Sequence, residues 1–302
     1  MTGVETKTGT YGFSRGRSRR EVLRPDDPLY RAFEKWLEGA PETVPRYLYD
    51  SGKREVGDLY RSARRVLSKI DLSGKSPEEI NSVLMSFRND KRLANAGLFL
   101  TAAYNKLDQK DIVFDLNIDQ PVSYVGFRLG KGRSLVLKSD TGEWIGTESL
   151  GVLVNYANIG GEMAYCAEAP AVNFGEVGEW MSLNAKAPAV NFGEVGEGMG
   201  LWAKAPAVNF GEVGGEMALE AKGKVYIALK NPKGEFHRNG EINLDEDECK
   251  QHPRLVKYFE ELKKEFERFK TAGYPECLGV VDLVRERIGD NEKFEGIIRG
   301  LL

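Results

Sequence analysis

Apolar residues recur every six positions through the middle of the chain, from Ile159 as far as Val225. Three such steps make up a longer repeat. The segment Ala-Pro-Ala-Val-Asn-Phe-Gly-Glu-Val-Gly occurs three times unchanged at a spacing of 18 residues. Glycine and proline in every repeat disfavour a helix. The spacing instead predicts 18-residue coils stacked as a three-sided β-solenoid over about residues 154–225, with apolar side chains inside.

Helical periodicity flanks the repeat on both sides. Asp27-Pro28 and Ser76-Pro77 carry the capping signals of two predicted helices, and two more are predicted near residues 56–70 and 91–107. Pro253 begins an amphipathic helix, and shorter helices are predicted near 280–288 and 292–301. The predicted fold class is α+β, with an N-terminal helical region, a central β-solenoid of 18-residue coils and C-terminal helices.

The pattern divides the chain into four segments. We predict a basic extended arm over 1–25, a helical domain over 26–108, a β-strand region with the solenoid over 109–230, and a C-terminal helical region over 231–302. Strands predicted near 112–116, 122–129 and 134–138 form either the first coils or a cap on the solenoid. Because open solenoid ends expose unpaired backbone, we expect capping or self-association there.

The repeat resembles two known kinds of solenoid. Its six-residue period is similar to that of the hexapeptide left-handed β-helix. The motif Val-Gly-Glu-Gly-Met at residues 195–199 resembles the Gly-rich β-solenoid domain that ends glutamate synthase large subunits. Either resemblance is limited to the repeat and implies a solenoid, but a shared fold does not by itself imply an activity.

Composition indicates a globular protein, with 41% hydrophobic residues, 29% charged residues and a net charge of −3. No apolar run approaches the roughly 20 residues that span a bilayer, so we expect no membrane partner. The three cysteines lie far apart in the sequence, which favours a reducing cytoplasm over a disulfide framework. Abundant Glu, Lys and Arg is typical of a thermophile.

Two kinds of polar residue should form columns along the solenoid. Asparagines at one repeat position are expected to satisfy turn hydrogen bonds, which is a structural role. Exposed glutamates form the second column, and the residues predicted as a protein-partner face are Glu176, Glu194, Glu212, Glu179 and Glu197. Like charges one strand apart repel. Three interpretations of the glutamate column remain. It is a solvated face whose charge is compensated by Lys186, Lys204 and Lys222; or it is a surface that docks a basic protein; or it is a cation site.

The basic arm is the clearest functional signal in the sequence. It interleaves aromatic residues with arginines, which bind phosphates through a bidentate fork, while aromatic rings stack on unpaired bases. The predicted RNA-binding residues are Tyr11, Phe13, Arg15, Arg17, Arg19, Arg20, Arg24, Arg61, Arg64 and Arg65. The alternative is a basic tail without a partner.

Catalytic signals are sparse. The chain has only two histidines, His237 and His252, and neither lies in a predicted coil, so the three-histidine zinc site of the hexapeptide-fold carbonic anhydrases cannot form within one chain. No CxxC, P-loop or GxSxG motif occurs. We expect no catalytic residue, metal or cofactor. A general base at His237 is the alternative to a surface loop residue.

The leading hypothesis is a non-enzymatic factor that binds ribosomal RNA or ribosomal proteins and forms a homo-oligomer, with a dimer favoured. The overall layout is similar to that of archaeal ribosome-associated factors that dimerise small subunits and block subunit joining. That resemblance implies a steric mechanism in translation regulation or hibernation. Two alternatives remain: an acyltransferase-like enzyme or solenoid subunit of an enzyme, and a purely architectural oligomer.

Overall fold

A computed structural model describes residues 25–47, 50–116, 118 and 120–302. The N-terminal helices are α1 (Pro28–Leu37), α2 (Asp50–Leu67), α3 (Pro77–Ser86) and α4 (Gly97–Tyr104). Asp27 caps α1, and Ser76 with Glu79 forms the predicted capping box of α3. The helix predicted over 91–107 is instead a 3-10 turn, Lys91–Asn95, followed by α4. Gly97 starts α4 against the backbone of residues 123–125, where a Cβ would lie 2.1 Å from the Ser123 carbonyl oxygen.

The middle of the chain is a β-solenoid with three walls of parallel strands, which confirms the predicted fold class. The first wall contains β1 (Asp111–Phe114), β2 (Ser134–Leu137), β3 (Val152–Asn155), β5 (Ala171–Asn173), β8 (Ala189–Asn191), β11 (Ala207–Asn209), β14 (Val225–Ala228) and β15 (Ile242–Leu244). The second wall contains β4 (Asn158–Ile159), β6 (Glu176–Val177), β9 (Glu194–Val195) and β12 (Glu212–Val213). The third wall contains β7 (Trp180–Met181), β10 (Gly198–Met199) and β13 (Glu216–Met217).

The solenoid extends beyond the repeat on both sides. Because β1 pairs with β2 and β2 pairs with β3, all in parallel, the early strands form the first coils. The strand predicted over 122–129 is wrong, because Tyr124, Gly126 and Arg128 have positive φ and turn the chain at a corner. The last strand of the solenoid, β15, ends at Leu244, and the first C-terminal helix begins at Glu246. The tail of the last coil carries no repeat motif, which is why sequence periodicity missed it.

Small and apolar side chains fill the interior of the prism. Ala171, Ala189 and Ala207 stack in register behind the first wall, and methionines at 18-residue spacing stack behind the third. Coils also touch backbone to backbone at the corner after the second wall. A Cβ on Gly196 would lie 2.0 Å from the Gly178 carbonyl oxygen, so this corner has no room for a side chain.

The predicted asparagine ladder lies inside the prism. Asn155, Asn173, Asn191 and Asn209 have no exposed surface. The first three donate from Nδ2 to the Oδ1 of the next asparagine at 2.8–2.9 Å, and Asn209 Nδ2 donates to the Lys230 carbonyl oxygen at 2.8 Å. Each Oδ1 also accepts from the backbone N–H two residues later. The ladder therefore satisfies buried polar groups in consecutive coils, as its structural role requires.

C-terminal helices cover the outer side of the first wall. They are α5 (Glu246–Cys249), α6 (Pro253–Glu267), α7 (Gly279–Arg287) and α8 (Asn291–Leu301), with a 3-10 turn at Glu276–Leu278. The outward valines of the wall form one buried cluster with Leu255, Phe259 and Phe266 of α6. Beside them the stacked rings of Tyr156 and Phe174, with centroids 5.1 Å apart, continue through Phe192 and Phe210.

The N-terminal helices close the first end of the prism. Their apolar residues share one buried cluster with the solenoid interior, and Tyr47 packs edge-on against Phe127 and Tyr165. At the other end, Asn239 donates to the Ala218 carbonyl oxygen at 2.8 Å. With the first end closed and the first wall covered, the second and third walls remain as outward faces of the coils.

Candidate interaction surfaces

The acidic column lies on the second wall. Register places Glu176, Glu194 and Glu212 directly beside one another, and the first two are exposed without a cation within 4.0 Å in the part of the chain that the structure describes. Lys230 lies 2.6 Å and Lys233 lies 3.7 Å from Glu212, and these lysines hold the pKa of the Glu212 carboxyl below its usual range. The ends of the column thus differ in charge.

The lysines expected to compensate this column lie elsewhere, which corrects that part of the sequence interpretation. Lys186 pairs with Glu168 at 2.5 Å, at the corner between the third and first walls. Glu197 is exposed and Glu179 is half-buried at the corner after the second wall. Within the described residues, the five predicted glutamates therefore form an acidic strip that lysines neutralise only at its Glu212 end.

Glu162 on the third wall was not singled out by the sequence. It is 3% exposed, and its Oε2 has no hydrogen-bond partner among the described residues. Burial, with the carboxylates of Glu179 and Glu143 nearby, raises the pKa of Glu162 to about 8. A carboxyl group in this position stays protonated at neutral pH.

We expect Glu162→Gln to stabilise the fold increasingly as pH rises. The unfolded carboxyl loses its proton near pH 4.5, whereas the folded pKa is about 8, so wild-type stability falls as pH rises between these values. Glutamine does not titrate. Its advantage in urea unfolding should be small at pH 4 and reach about 4 kcal/mol at pH 8. The exposed Glu194→Gln is the control, and an advantage for Glu162→Gln that does not change with pH would contradict this assignment.

The predicted basic residues of α2 lie on its outer face. Arg61, Arg64 and Arg65 are exposed, and the three- and four-residue spacings place them together. Arg61 pairs with Asp58 at 2.5 Å, whereas no carboxylate lies within 4.0 Å of the other two guanidinium groups in the described chain. The predicted arm residues Tyr11, Phe13, Arg15, Arg17, Arg19, Arg20 and Arg24 lie outside the described residues.

The corner after the third wall combines an exposed tryptophan with a lysine column. Two residues in each coil have positive φ here, and in one coil they are Gly200 (φ 69°) and Trp202 (φ 53°). A left-handed backbone costs a bulky residue about 1–2 kcal/mol. The Trp202 side chain is nevertheless 41% exposed, next to the exposed Lys204. The 18-residue spacing of Lys186, Lys204 and Lys222 was visible in the sequence, as was Trp202 two residues before Lys204, but the exposure of the indole was not.

The two histidines lie in different elements of the fold. His237 lies in the last coil, with its Nε2 3.6 Å from Glu216 Oε2, and His252 precedes α6. Across residues 25–47, 50–116, 118 and 120–302, no three His, Cys, Asp or Glu side chains are arranged to hold a metal ion. A general-base role for His237 stays untested.

Over the same residues, none of the helices combines the length and apolar character that crossing a bilayer requires. Burial raises the pKa of the Cys249 thiol to about 12 and that of the Cys277 thiol to about 11, so neither is a reactive thiolate at neutral pH. Comparisons of the chain with protein-family models, with curated proteins and with solved structures found no match.

Proposed function

We propose that this protein is a non-enzymatic factor that binds a ribonucleoprotein, with the ribosome as its target. The outer face of α2 and the basic arm would contact ribosomal RNA. The observation that best supports this is the exposed cluster Arg61, Arg64 and Arg65, in which two guanidinium groups have no carboxylate partner in the described chain. Arginines without protein partners are suited to bind phosphate oxygens through paired hydrogen bonds.

The solenoid would act as a rigid spacer in this factor. Its first wall is covered by α6, while its second wall carries the acidic strip of Glu176, Glu194 and Glu197. An acidic strip suits a basic protein surface, such as a ribosomal protein. In a homodimer, two copies would hold two ribosomal particles, and the bulk of the solenoid would block subunit joining by steric exclusion. No catalytic step is needed for this mechanism.

The test replaces Arg61, Arg64 and Arg65 together by Glu in the full-length chain. Binding to purified ribosomal subunits is measured by co-sedimentation over a salt series. Because each neutralised phosphate contributes about 0.7–0.9 to the slope of log K against log salt, losing three contacts should reduce that slope by about 2–3 and weaken binding more than tenfold.

A matched control carries the same charge change on α6 and just beyond it, with Lys257, Lys264 and Lys270 replaced by Glu. These side chains are exposed on the C-terminal layer of the molecule. We expect the control to bind as wild type does. Equal binding by the arginine variant, or no ribosome association by the wild-type chain at low salt, would remove the proposal.

A further inference from the structure

Trp202 differs from the residues at the equivalent position of the other coils, and packing of the core does not require this difference. The equivalent corner positions hold Glu148, Cys166, Asn184 and Glu220, all with φ between 48° and 56°. Trp202 is the only aromatic residue in this set, and it has the same left-handed backbone, with φ 53°. Asparagine tolerates that backbone, whereas a bulky side chain seldom adopts it. Since the indole is 41% exposed, it does not serve to fill the core.

The indole is held in one orientation. Its Nε1 donates to Glu220 Oε2 at 3.1 Å, one coil further along. This contact satisfies the polar edge of the ring and leaves the apolar faces as the part available for contact. An exposed aromatic ring tied by its edge is typical of a stacking platform.

Lysines stand in a column beside the platform. Lys186, Lys204 and Lys222 occupy one position in three successive coils, which stack at about 4.8 Å. Lys186 is paired with Glu168, but in the described chain Lys204 and Lys222 have no carboxylate within 4.0 Å. Two unpaired ammonium groups therefore lie in the coil of Trp202 and in the next coil, along the direction in which a strand could run.

We propose that the corner of Trp202, Lys204 and Lys222 binds single-stranded nucleic acid, with one base stacked on the indole and the adjacent phosphates on the two lysines. This rests on the proposed function and adds to it a second RNA contact, on the solenoid. Base stacking uses the flat ring face, and the lysines complement the charge of the backbone. An acidic peptide would use the lysines but has no planar group for the indole, which is why nucleic acid is favoured.

The decisive variant is Trp202→Asn, which places at this corner the residue that coil position 184 already carries. The probe is a short fluorescein-labelled oligouridylate, and binding to the full-length chain is followed by anisotropy. We expect affinity to fall about tenfold, since stacking on an aromatic ring is worth roughly that much per base. Because Asn tolerates the left-handed backbone, the melting temperature should stay equal or rise.

The double variant Lys204→Gln/Lys222→Gln tests the phosphate contacts. The slope of log K against log salt should fall by roughly 1.4, at about 0.7 for each phosphate on a single strand. Lys257→Gln/Lys264→Gln on α6 is the matched control and should leave the slope unchanged. Polyglutamate, the acidic-peptide probe, should bind at least tenfold more weakly than the oligouridylate and should be indifferent to Trp202→Asn.

Indole fluorescence separates this site from the arm. Oligouridylate should quench wild-type emission, and Trp202→Asn should lose that quenching even though Trp36, Trp144 and Trp180 remain. If wild type binds the oligouridylate but Trp202→Asn binds it equally well, the corner site is wrong while the ribosome proposal stands. Suppose instead that the variant with Arg61, Arg64 and Arg65 replaced by Glu keeps full ribosome binding, while oligouridylate still quenches wild-type emission. The ribosome proposal is then wrong, while the corner site stands.

Discussion

Gly196→Ala is expected to destabilise the protein by about 3 kcal/mol or more, enough to disrupt coil stacking. A Cβ at this residue would lie 2.0 Å from the Gly178 carbonyl oxygen, and the Gly196 N–H also donates to the Val177 carbonyl oxygen at 2.8 Å. The obstacle is the backbone of the preceding coil, so no side chain can rotate away to relieve the clash. Urea unfolding followed by circular dichroism measures the loss.

Gly160→Ala is the control for this prediction, since Gly160 begins the same column of glycines. A Cβ there would meet its nearest neighbour, the Thr141 carbonyl oxygen, at 3.7 Å, which is an ordinary contact. We expect a change within about 0.5 kcal/mol. Similar unfolding midpoints for both variants would mean that the coils are not stacked as closely as described.

The second large effect is expected for Asn191→Asp, which changes one atom in the middle of the buried ladder. Asn191 Nδ2 donates to Asn209 Oδ1 at 2.9 Å and also to the carbonyl oxygens of Gly193 and Glu212. A carboxylate turns these hydrogen bonds into repulsive oxygen contacts with no access to water. We expect a loss of about 3–4 kcal/mol at pH 7.

Lowering the pH should restore part of the stability that Asn191→Asp loses, because the protonated carboxyl can donate one hydrogen bond again and carries no charge. The measurement is the free energy of unfolding in urea at pH 4.5 and pH 7. Asn158→Asp on the exposed second wall introduces the same charge and should cost less than about 1 kcal/mol at either pH. A loss for Asn191→Asp that is small or independent of pH would show that the ladder is not sealed from solvent.

The sequence predicted those parts of the fold that repetition imposes. Identical coils must bury the same residues, so Val177, Val195 and Val213 could be assigned to the interior and the asparagines to a ladder without any structure. The helices at both ends also followed from capping signals and periodicity. These features depend on local patterns, which a single chain displays directly.

The features of the fold and of the candidate surfaces that the sequence did not predict depend on contacts between residues distant in the chain. The covering of the first wall by α6 could not be predicted, because the outward Val172 and Val190 look the same in sequence as interior valines. Glu162 carried no signal either, since its burial results from the coils beside it. Trp202 was overlooked for a similar reason: its significance lies in its left-handed backbone and in the exposure of its indole, which only the coil geometry sets.

The C-terminal helical layer limits how many coils this protein can cover. Lys263 lies over the Phe210 ring, Phe266 packs against Phe174 and Phe192, and the Phe266 carbonyl oxygen accepts from the Tyr156 hydroxyl, so α6 contacts the aromatic stack of four successive coils. Its 15 residues are about 22 Å long, which is the height of four to five coils. The first wall has eight strands, and apolar residues of α7 and α8 share the buried cluster that covers it. Duplication of another 18-residue unit would continue every backbone hydrogen bond, yet it would leave one more valine and one more phenylalanine in water. The extent of this helical layer thereby limits the growth of a repeat that could otherwise be extended indefinitely.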